Sequence, residues 1–277
     1  MIDAGEGRQA LHPLLRYALS VQIIRPDTIR TLCLALSAQS AIICARHLPP
    51  VEKLMQYPIN EMFQTLQGEG FYTGVPAIFI RLQGCPVGCS WCDTKHTWDK
   101  LADRETSLGD ILLKTVETDA WGAADAPALL ETIRRHGWTA KHIVITGGEP
   151  CIYDLTPLTA ALQDSGFSCQ IETSGTHQVR CTAQTWVTVS PKVNMRGGYD
   201  VLNQALVRAD EVKHPVARQR DVDALDELLA TLNDNKARII ALQPISQKAD
   251  ATQLCIDTCI ARNWRLSMQT HKYLNIA

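Results

Sequence analysis

Three cysteines stand within eight positions of the stretch "RLQGCPVGCSWCDTKHTW", residues 81–98: Cys85, Cys89 and Cys92, spaced C-x3-C-x2-C. Thiolates are soft ligands that suit zinc and iron–sulfur clusters. A structural zinc takes four protein ligands, and so does an ordinary 4Fe–4S cluster. This loop offers three. One reading is a zinc knuckle closed by His96, His142 or another cysteine. The other is a 4Fe–4S cluster with one iron left open for an exchangeable ligand. The spacing is too tight for most zinc ribbons, which pair C-x2-C with a distant second pair. It favours the open cluster.

A second motif, "TGGEP" at residues 146–150, follows an apolar run. Paired glycines let a backbone approach a ligand closely. Glu149 offers a carboxylate to an ammonium group. An amine and a neighbouring carboxylate could chelate the open iron, as in the methionyl group of S-adenosylmethionine, and cluster cofactors support radical chemistry. Trp91 beside Cys92 supplies an aromatic to the loop. Arg81, at the end of an apolar run, suits bidentate recognition of a carboxylate.

These residues need a frame. "VPAIFIRL" (75–82), "HIVIT" (142–146), "SCQIE" (168–172), "WVTVS" (186–190), "DEVKH" (210–214), "RIIALQ" (238–243) and "WRLSMQ" (264–269) read as strands. Helical patterns run between them over 107–117, 125–137, 154–166, 221–232 and 250–263, with Ser107, Asp125 and Asp154 as caps and Gly137 and Gly166 as stops. Strands alternating with helices imply parallel βα units and right-handed crossovers. About 220 residues is at the low end for a closed eightfold barrel, so the expected fold is α/β, an incomplete, open βα barrel with mostly parallel strands. Each strand ends in small, polar or turn residues: "TGGEP", "TSGT", "PK", "HP", "QPIS", "QTHK". Carboxyl strand ends carry the active site in βα barrels. The segment 99–137 exceeds a minimal crossover and reads as an insertion of helices.

Composition narrows the setting. Of 277 residues, 45% are hydrophobic and 20% charged, the balance of a globular chain with a sizeable core. A formal net charge of −2 gives no bias toward nucleic acid or an anionic membrane, and neither is expected as a partner. The ten cysteines show no disulfide framework, which points to a reducing, cytoplasmic compartment. Cys255 and Cys259, four apart on a helix, and Cys151, Cys169 and Cys181 read as buried thiols. The apolar run 32–45 is interrupted by Ser37, Gln39 and Ser40 and is too short for a membrane span. Residues 1–54 lack strand–turn–helix grammar. They read as an N-terminal extension or as translation from an upstream start, with the core domain at 55–277.

From Met55 to Ala277 the chain resembles the 7-carboxy-7-deazaguanine synthase family of the radical S-adenosylmethionine superfamily. The resemblance rests on "NEMFQTLQGEG", "AIFIRLQGCPVGCSWCDTKHTW", "TGGEP", "ETSGT", "SPK", "QPIS" and "QTHKY". It implies reductive cleavage of S-adenosylmethionine, hydrogen abstraction from 6-carboxy-5,6,7,8-tetrahydropterin, ring contraction with loss of ammonia, and 7-carboxy-7-deazaguanine as product. It further implies magnesium, a homodimer and an electron-donor protein such as a flavodoxin.

The resemblance also assigns roles by position. Cys85, Cys89 and Cys92 hold the cluster, and Thr94 the magnesium. Trp91, Cys92, Asp93, Gly148, Ser190, Pro191, Lys192, Gln243, Pro244, Ile245 and Ser246 contact S-adenosylmethionine. Leu66, Gln67, Gly68, Arg81, Thr146, His271 and the carboxylate of Ala277 contact the pterin. The alternative enzyme, a radical activase acting on a protein glycine, shares the cluster loop but has no use for "LQGEG" and "QTHKY". A non-enzymatic zinc module would be colourless and hold zinc instead of iron.

Overall fold

The computed structural model describes residues 54–276, so the expectations for residues 1–53 and for Ala277 lie outside the described residues. Ten strands form one sheet: β1 (Tyr57–Leu66), β2 (Pro76–Leu82), β3 (Glu105–Thr106), β4 (Trp121–Ala124), β5 (His142–Gly147), β6 (Ser168–Thr173), β7 (Trp186–Val189), β8 (Glu211–Val216), β9 (Ile239–Pro244) and β10 (Arg265–Leu266). Their order across the sheet is β10-β9-β8-β7-β6-β5-β2-β1-β4-β3. Every pair from β2 to β10 is parallel, and β1 is antiparallel to both β2 and β4. The ends of the sheet do not pair. This is the open, mostly parallel α/β barrel that the strand–helix alternation implies.

Period-two alternation separates two faces. Ile143 and Ile145 of β5, Ile171 of β6, and Val187 and Val189 of β7 pack outward against helices α2 (Ala126–Arg135), α3 (Thr156–Asp164), α4 (Asn203–Arg208), α5 (Gln219–Ala230) and α6 (Ala249–Arg262). Each fully buried aliphatic side chain there stabilises the fold by about 1.5–3 kcal/mol. Cys255 and Cys259 of α6 are buried in this layer, as their spacing implies. The opposite face carries His142, Gln170, Glu172, Thr188, Glu211 and Lys213, an interior layer rich in polar groups.

The loop between β1 and β2 turns into that interior. Phe71 stacks on Trp186 at 4.8 Å, and Tyr72 leans on His142 at 4.3 Å. The Phe71 backbone N–H donates to Glu211 at 2.9 Å. A Cβ on Gly70 would lie 2.8 Å from the Glu211 carboxylate oxygens, and φ there is +66°, so glycine is required for this approach. The loop plugs the barrel from below.

Several elements differ from the sequence reading. β1 was not expected as a strand. Its alternation breaks at a bulge, because Ile59 pairs with Leu82 while Glu61 pairs with Arg81, leaving Asn60 as the extra residue. The helix expected over 107–117 is α1 (Leu108–Leu112) only. Lys114 beyond it donates to backbone oxygens of Asn60 at 3.0 Å and Thr118 at 3.2 Å, and this pulls the chain out of the helix. The 99–137 insertion therefore contains β3 and β4 as well as helices. The last expected strand, 264–269, shrinks to β10, and α7 (Thr270–Leu274) follows it.

The caps fare well. Ser107 Oγ accepts from Asp110 N–H at 3.1 Å, and Asp125 accepts from Ala128 N–H at 2.9 Å. Asp154 accepts from Thr156 N–H at 2.9 Å, one residue ahead of the N-cap. Among the described residues no helix is long and apolar enough to cross a membrane.

Candidate active site

A cavity of about 310 Å³ opens at the carboxyl ends of the parallel strands. That is within the usual range for small-molecule sites. Its wall takes residues from the ends of β1, β2, β5, β6, β8 and β9, from the segment after β7, from the cysteine loop after β2, and from α7.

Cys85, Cys89 and Cys92 all reach this wall, and none is in a disulfide. The loop is tied at both ends: Cys85 N–H donates to Trp98 O at 2.9 Å, and Gly84 N–H to Thr97 O at 2.8 Å. Cys92 Sγ receives the Trp98 indole N–H at 3.4 Å and lies 3.7 Å from Thr94 Oγ1. Burial pushes the Cys85 thiol up to about 11 and raises Cys89 also. Iron binding offsets that cost, since a cluster ligand must be a thiolate.

Among the described residues, no three His, Cys, Asp or Glu side chains converge to hold a single ion. Neither histidine named as a fourth zinc ligand lines the cavity: His96 lies near Glu61 and Glu117, and His142 binds Ser168 and Gln170. Three thiols spread around one wall suit a cluster, whose ligands bond different irons.

The glycine turn after β5 presses against the cysteine loop. Gly148 N–H donates to Leu82 O at 2.9 Å and Glu149 N–H to Gly84 O at 2.8 Å. Glu149 is buried and its carboxylate is already filled. It accepts from Cys151 N–H at 2.9 Å, Thr173 Oγ1 at 2.6 Å, Ser174 N–H at 2.7 Å and the Ser174 hydroxyl. The expected bond from Glu149 to an ammonium group is thus corrected: the carboxylate ties the end of β5 to the end of β6, and the backbone of the turn faces the cavity.

A buried charge cluster forms the floor. Lys213 Nζ donates to Glu69 at 2.6 Å and lies 2.9 Å from Glu172. Burial would raise the Glu69 carboxyl, but Lys213 and Gln269 outweigh it and hold it down to about 2. Burial raises Glu172 to about 7, with Glu69 and Glu211 opposing the relief from Lys213. Burial alone would lower Lys213, yet the two carboxylates raise it. Within this floor cluster, Lys213 keeps the Glu69 carboxyl low, the carboxylates keep the Lys213 ammonium high, and burial raises Glu172. Gln67 donates to Gln170 at 3.2 Å and to Glu172 at 3.4 Å.

The segment 269–272 clasps the two halves of the wall. Gln269 donates to Glu69 at 2.8 Å and to Asp93 at 3.1 Å, and Lys272 donates to Asp93 at 3.0 Å. Thr270 N–H and Oγ1 both donate to Gly68 O at 2.9 Å. A Cβ on Gly68 would lie 2.5 Å from His271 Nδ1. Lys192, beside Ser190 at 2.5 Å, adds another cation to the wall. Burial lowers its ammonium, and the nearby Cys89 pulls it back up.

The structure brings together Leu66, Gln67, Gly68, Arg81, Cys85, Cys89, Trp91, Cys92, Asp93, Thr94, Thr146, Gly148, Ser190, Lys192, Gln243, Pro244, Ile245, Ser246 and His271 in one wall. Pro191 is buried behind Ser190 and Lys192 and does not line the cavity. Ala277 lies outside the described residues. The sequence reading missed Glu69, Glu172, Lys213 and Gln269 as wall residues. The available signal was a charge next to a buried aliphatic position, at "IET" and "VKH".

No protein-family model matches the chain. Curated relatives do. The 7-carboxy-7-deazaguanine synthase of Escherichia coli (strain K12) is 78% identical over 223 residues, 80% of this chain and 100% of that protein. The enzyme of the same name from Buchnera aphidicola subsp. Schizaphis graminum is 49% identical over 222 residues, covering 80% and 100%. That of Flavobacterium psychrophilum is 36% identical over 227 residues, covering 82% and 95%. The crystal structure of QueE from Escherichia coli superposes with a TM-score of 0.77 at 77% identity, covering 78% of this chain and 95% of that one. On these relatives, and on the fold they share, the chain belongs to the 7-carboxy-7-deazaguanine synthase family.

Proposed function

We infer that the chain is a 7-carboxy-7-deazaguanine synthase, a radical S-adenosylmethionine carbon–nitrogen lyase. It converts 6-carboxy-5,6,7,8-tetrahydropterin to 7-carboxy-7-deazaguanine with loss of ammonia, a step toward queuosine. The observation that carries this reading is one cavity shared by three free thiols, the paired-glycine turn and Arg81.

In this reading Cys85, Cys89 and Cys92 hold a 4Fe–4S cluster. When bound, the cluster and S-adenosylmethionine supply the radical that abstracts hydrogen. The backbone at Gly148, the strand-end residues Ser190 and Lys192, and the segment Gln243–Ser246 bind the cofactor around it, with Trp91 and Asp93 on the cysteine loop. Gln67, Gly68, Thr146 and His271 position the pterin, and Arg81 takes its carboxylate. Thr94, which lines the cavity with its hydroxyl 3.7 Å from Cys92 Sγ, is the proposed magnesium donor, with substrate and water completing the shell. Glu172 and Lys213 line the same cavity and offer a carboxyl and an ammonium to the polar edge of the pterin. Reductive cleavage consumes one electron, so an external donor such as a flavodoxin belongs to the proposal. The homodimer and the cytoplasmic setting are proposed on the resemblance and the cysteine pattern.

The test is a product assay. Anaerobically reconstituted, reduced enzyme given S-adenosylmethionine and carboxytetrahydropterin should release 7-carboxy-7-deazaguanine, read by mass spectrometry. Turnover without that product overturns the reading. The relatives named above are all 7-carboxy-7-deazaguanine synthases, which supports this reading over a protein-glycine activase.

A further inference from the structure

Arg81 reaches the cavity wall, yet it does not stand free. Its Nε donates to Glu61 Oε2 at 2.7 Å, and both side chains are largely shielded, at 17% and 22% exposure. Glu61 does not line the cavity. Among the described residues, the Arg81 Nη groups make no hydrogen bond, so the end-on edge of the guanidinium is left for a ligand. A guanidinium recognises a carboxylate through two parallel N–H bonds, and that geometry requires the plane to be held.

The sequence spends a backbone irregularity on this pair. Ile59 pairs with Leu82, and after the extra residue Asn60 it is Glu61 that pairs with Arg81. Without the bulge Asn60 would stand opposite Arg81, since a one-residue slip moves side chains to the other face. Asn60 is fully buried, and its side chain pins the bulge. Its Nδ2 donates to Gln83 Oε1 at 2.7 Å, Thr118 O at 2.9 Å and Ala120 O at 3.0 Å. Lys114 donates to its backbone oxygen at 3.0 Å and to its Oδ1 at 3.3 Å. On the far side, Glu61 Oε1 faces His96 Nε2 at 3.8 Å, and His96 rides on the segment that follows Cys92 and Thr94.

We propose that Glu61 is a positioning residue: held by the Asn60 bulge, it fixes the Arg81 guanidinium so that the Nη edge meets the substrate carboxylate. This rests on the reading of Arg81 as the carboxylate ligand. Glu61 thereby sets the preference for a carboxylated pterin without touching it. A simple charge-neutralising role would predict the opposite: removing Glu61 would free Arg81 and tighten carboxylate binding.

The experiment uses the anaerobic holoenzyme with S-adenosylmethionine and two fluorescent probes, 6-carboxypterin and pterin. Glu61→Gln should weaken 6-carboxypterin binding and raise the substrate KM by about tenfold, with kcat changed by less than about threefold. Pterin binding should not change. Glu61→Asp should recover part of the loss. In an Arg81→Gln background the further change Glu61→Gln should have no effect, because the two act as one unit. The iron content of each variant reports folding around the cluster. Unchanged or tighter 6-carboxypterin binding in Glu61→Gln overturns the proposal, as does an undiminished Glu61→Gln effect in the Arg81→Gln background. Unchanged binding in Arg81→Gln itself overturns the underlying assignment of Arg81, and the proposal with it. Failure of the wild-type enzyme to form product is read separately and strikes the functional reading.

Discussion

A methyl group on Gly148 would sit 2.2 Å from the carbonyl oxygen of Gly84 and 2.9 Å from Cys85 Cβ. The glycine turn and the cysteine loop are therefore in backbone contact, and neither can shift without the other. Gly148→Ala must displace one of them, with effects on both the cluster and S-adenosylmethionine. The expected outcome is a loss of activity of about a hundredfold or more, in line with an ångström-scale misplacement. Iron content and equilibrium binding of S-adenosylmethionine, measured side by side, check it. Wild-type values for both would contradict the contact.

Lys213 stands between two carboxylates in the cavity floor. Lys213→Met removes the cation and leaves Glu69 buried without its partner. Removing one member of a buried ion pair costs about 3–5 kcal/mol. Denaturant unfolding of the reconstituted enzyme should show a loss of that order. A second change, Glu69→Gln, should restore part of it.

His214 points away from the cavity, toward α5, and its Nδ1 is buried with no hydrogen-bond partner among the described residues. Burial, with Lys192 adding to it, pulls the imidazole down to about 4. The unfolded chain takes up this proton near pH 6.5, but the folded chain does not until about 4. The stability from keeping His214 neutral is thus complete above pH 6.5 and is lost as pH falls toward 4. The full loss is about 3 kcal/mol. His214→Gln should lose this pH dependence, so its stability should fall less than that of wild type between pH 7 and 4.5, measured by denaturant midpoints at pH 7, 5.5 and 4.5.

Among the described residues, only three cysteines reach the cavity wall. Ala substitutions at Cys85, Cys89 or Cys92 should each remove the cluster and its visible absorption. Ala substitutions at Cys151, Cys169 or Cys255 should keep about four irons per chain. They would show instead the modest destabilisation of a small buried side chain, about 1 kcal/mol. Colorimetric iron analysis after anaerobic reconstitution distinguishes the two groups.

The mouth of the barrel was legible because each parallel strand is an apolar run that stops at a polar or glycine-containing turn. Local chain chemistry carries that signal. The floor was not legible, for the reverse reason. Glu172 and Lys213 are charged residues within short strands, and such residues face solvent on an ordinary sheet. Here the curved sheet turns that face inward, and Lys213 meets a partner 144 residues away. β1 escaped notice because the bulge at Asn60 breaks its alternation at the point where the strand becomes useful. Glu149 was read as a ligand because its position suggested one. Only the donors at Cys151, Thr173 and Ser174, two of them from the next strand's end, show that its capacity is spent.

The clasp made by Gln269, Thr270 and Lys272 has a consequence for how the enzyme is made. Its contacts with Glu69, Gly68 and Asp93 span 200, 202 and 179 residues of chain. Contacts so distant in sequence bear a loop-closure entropy and slow folding. A chain folded only through β8 would carry all three cysteines but no closed wall around them. The chamber is thus complete only when the last segment of the described chain has docked on the first.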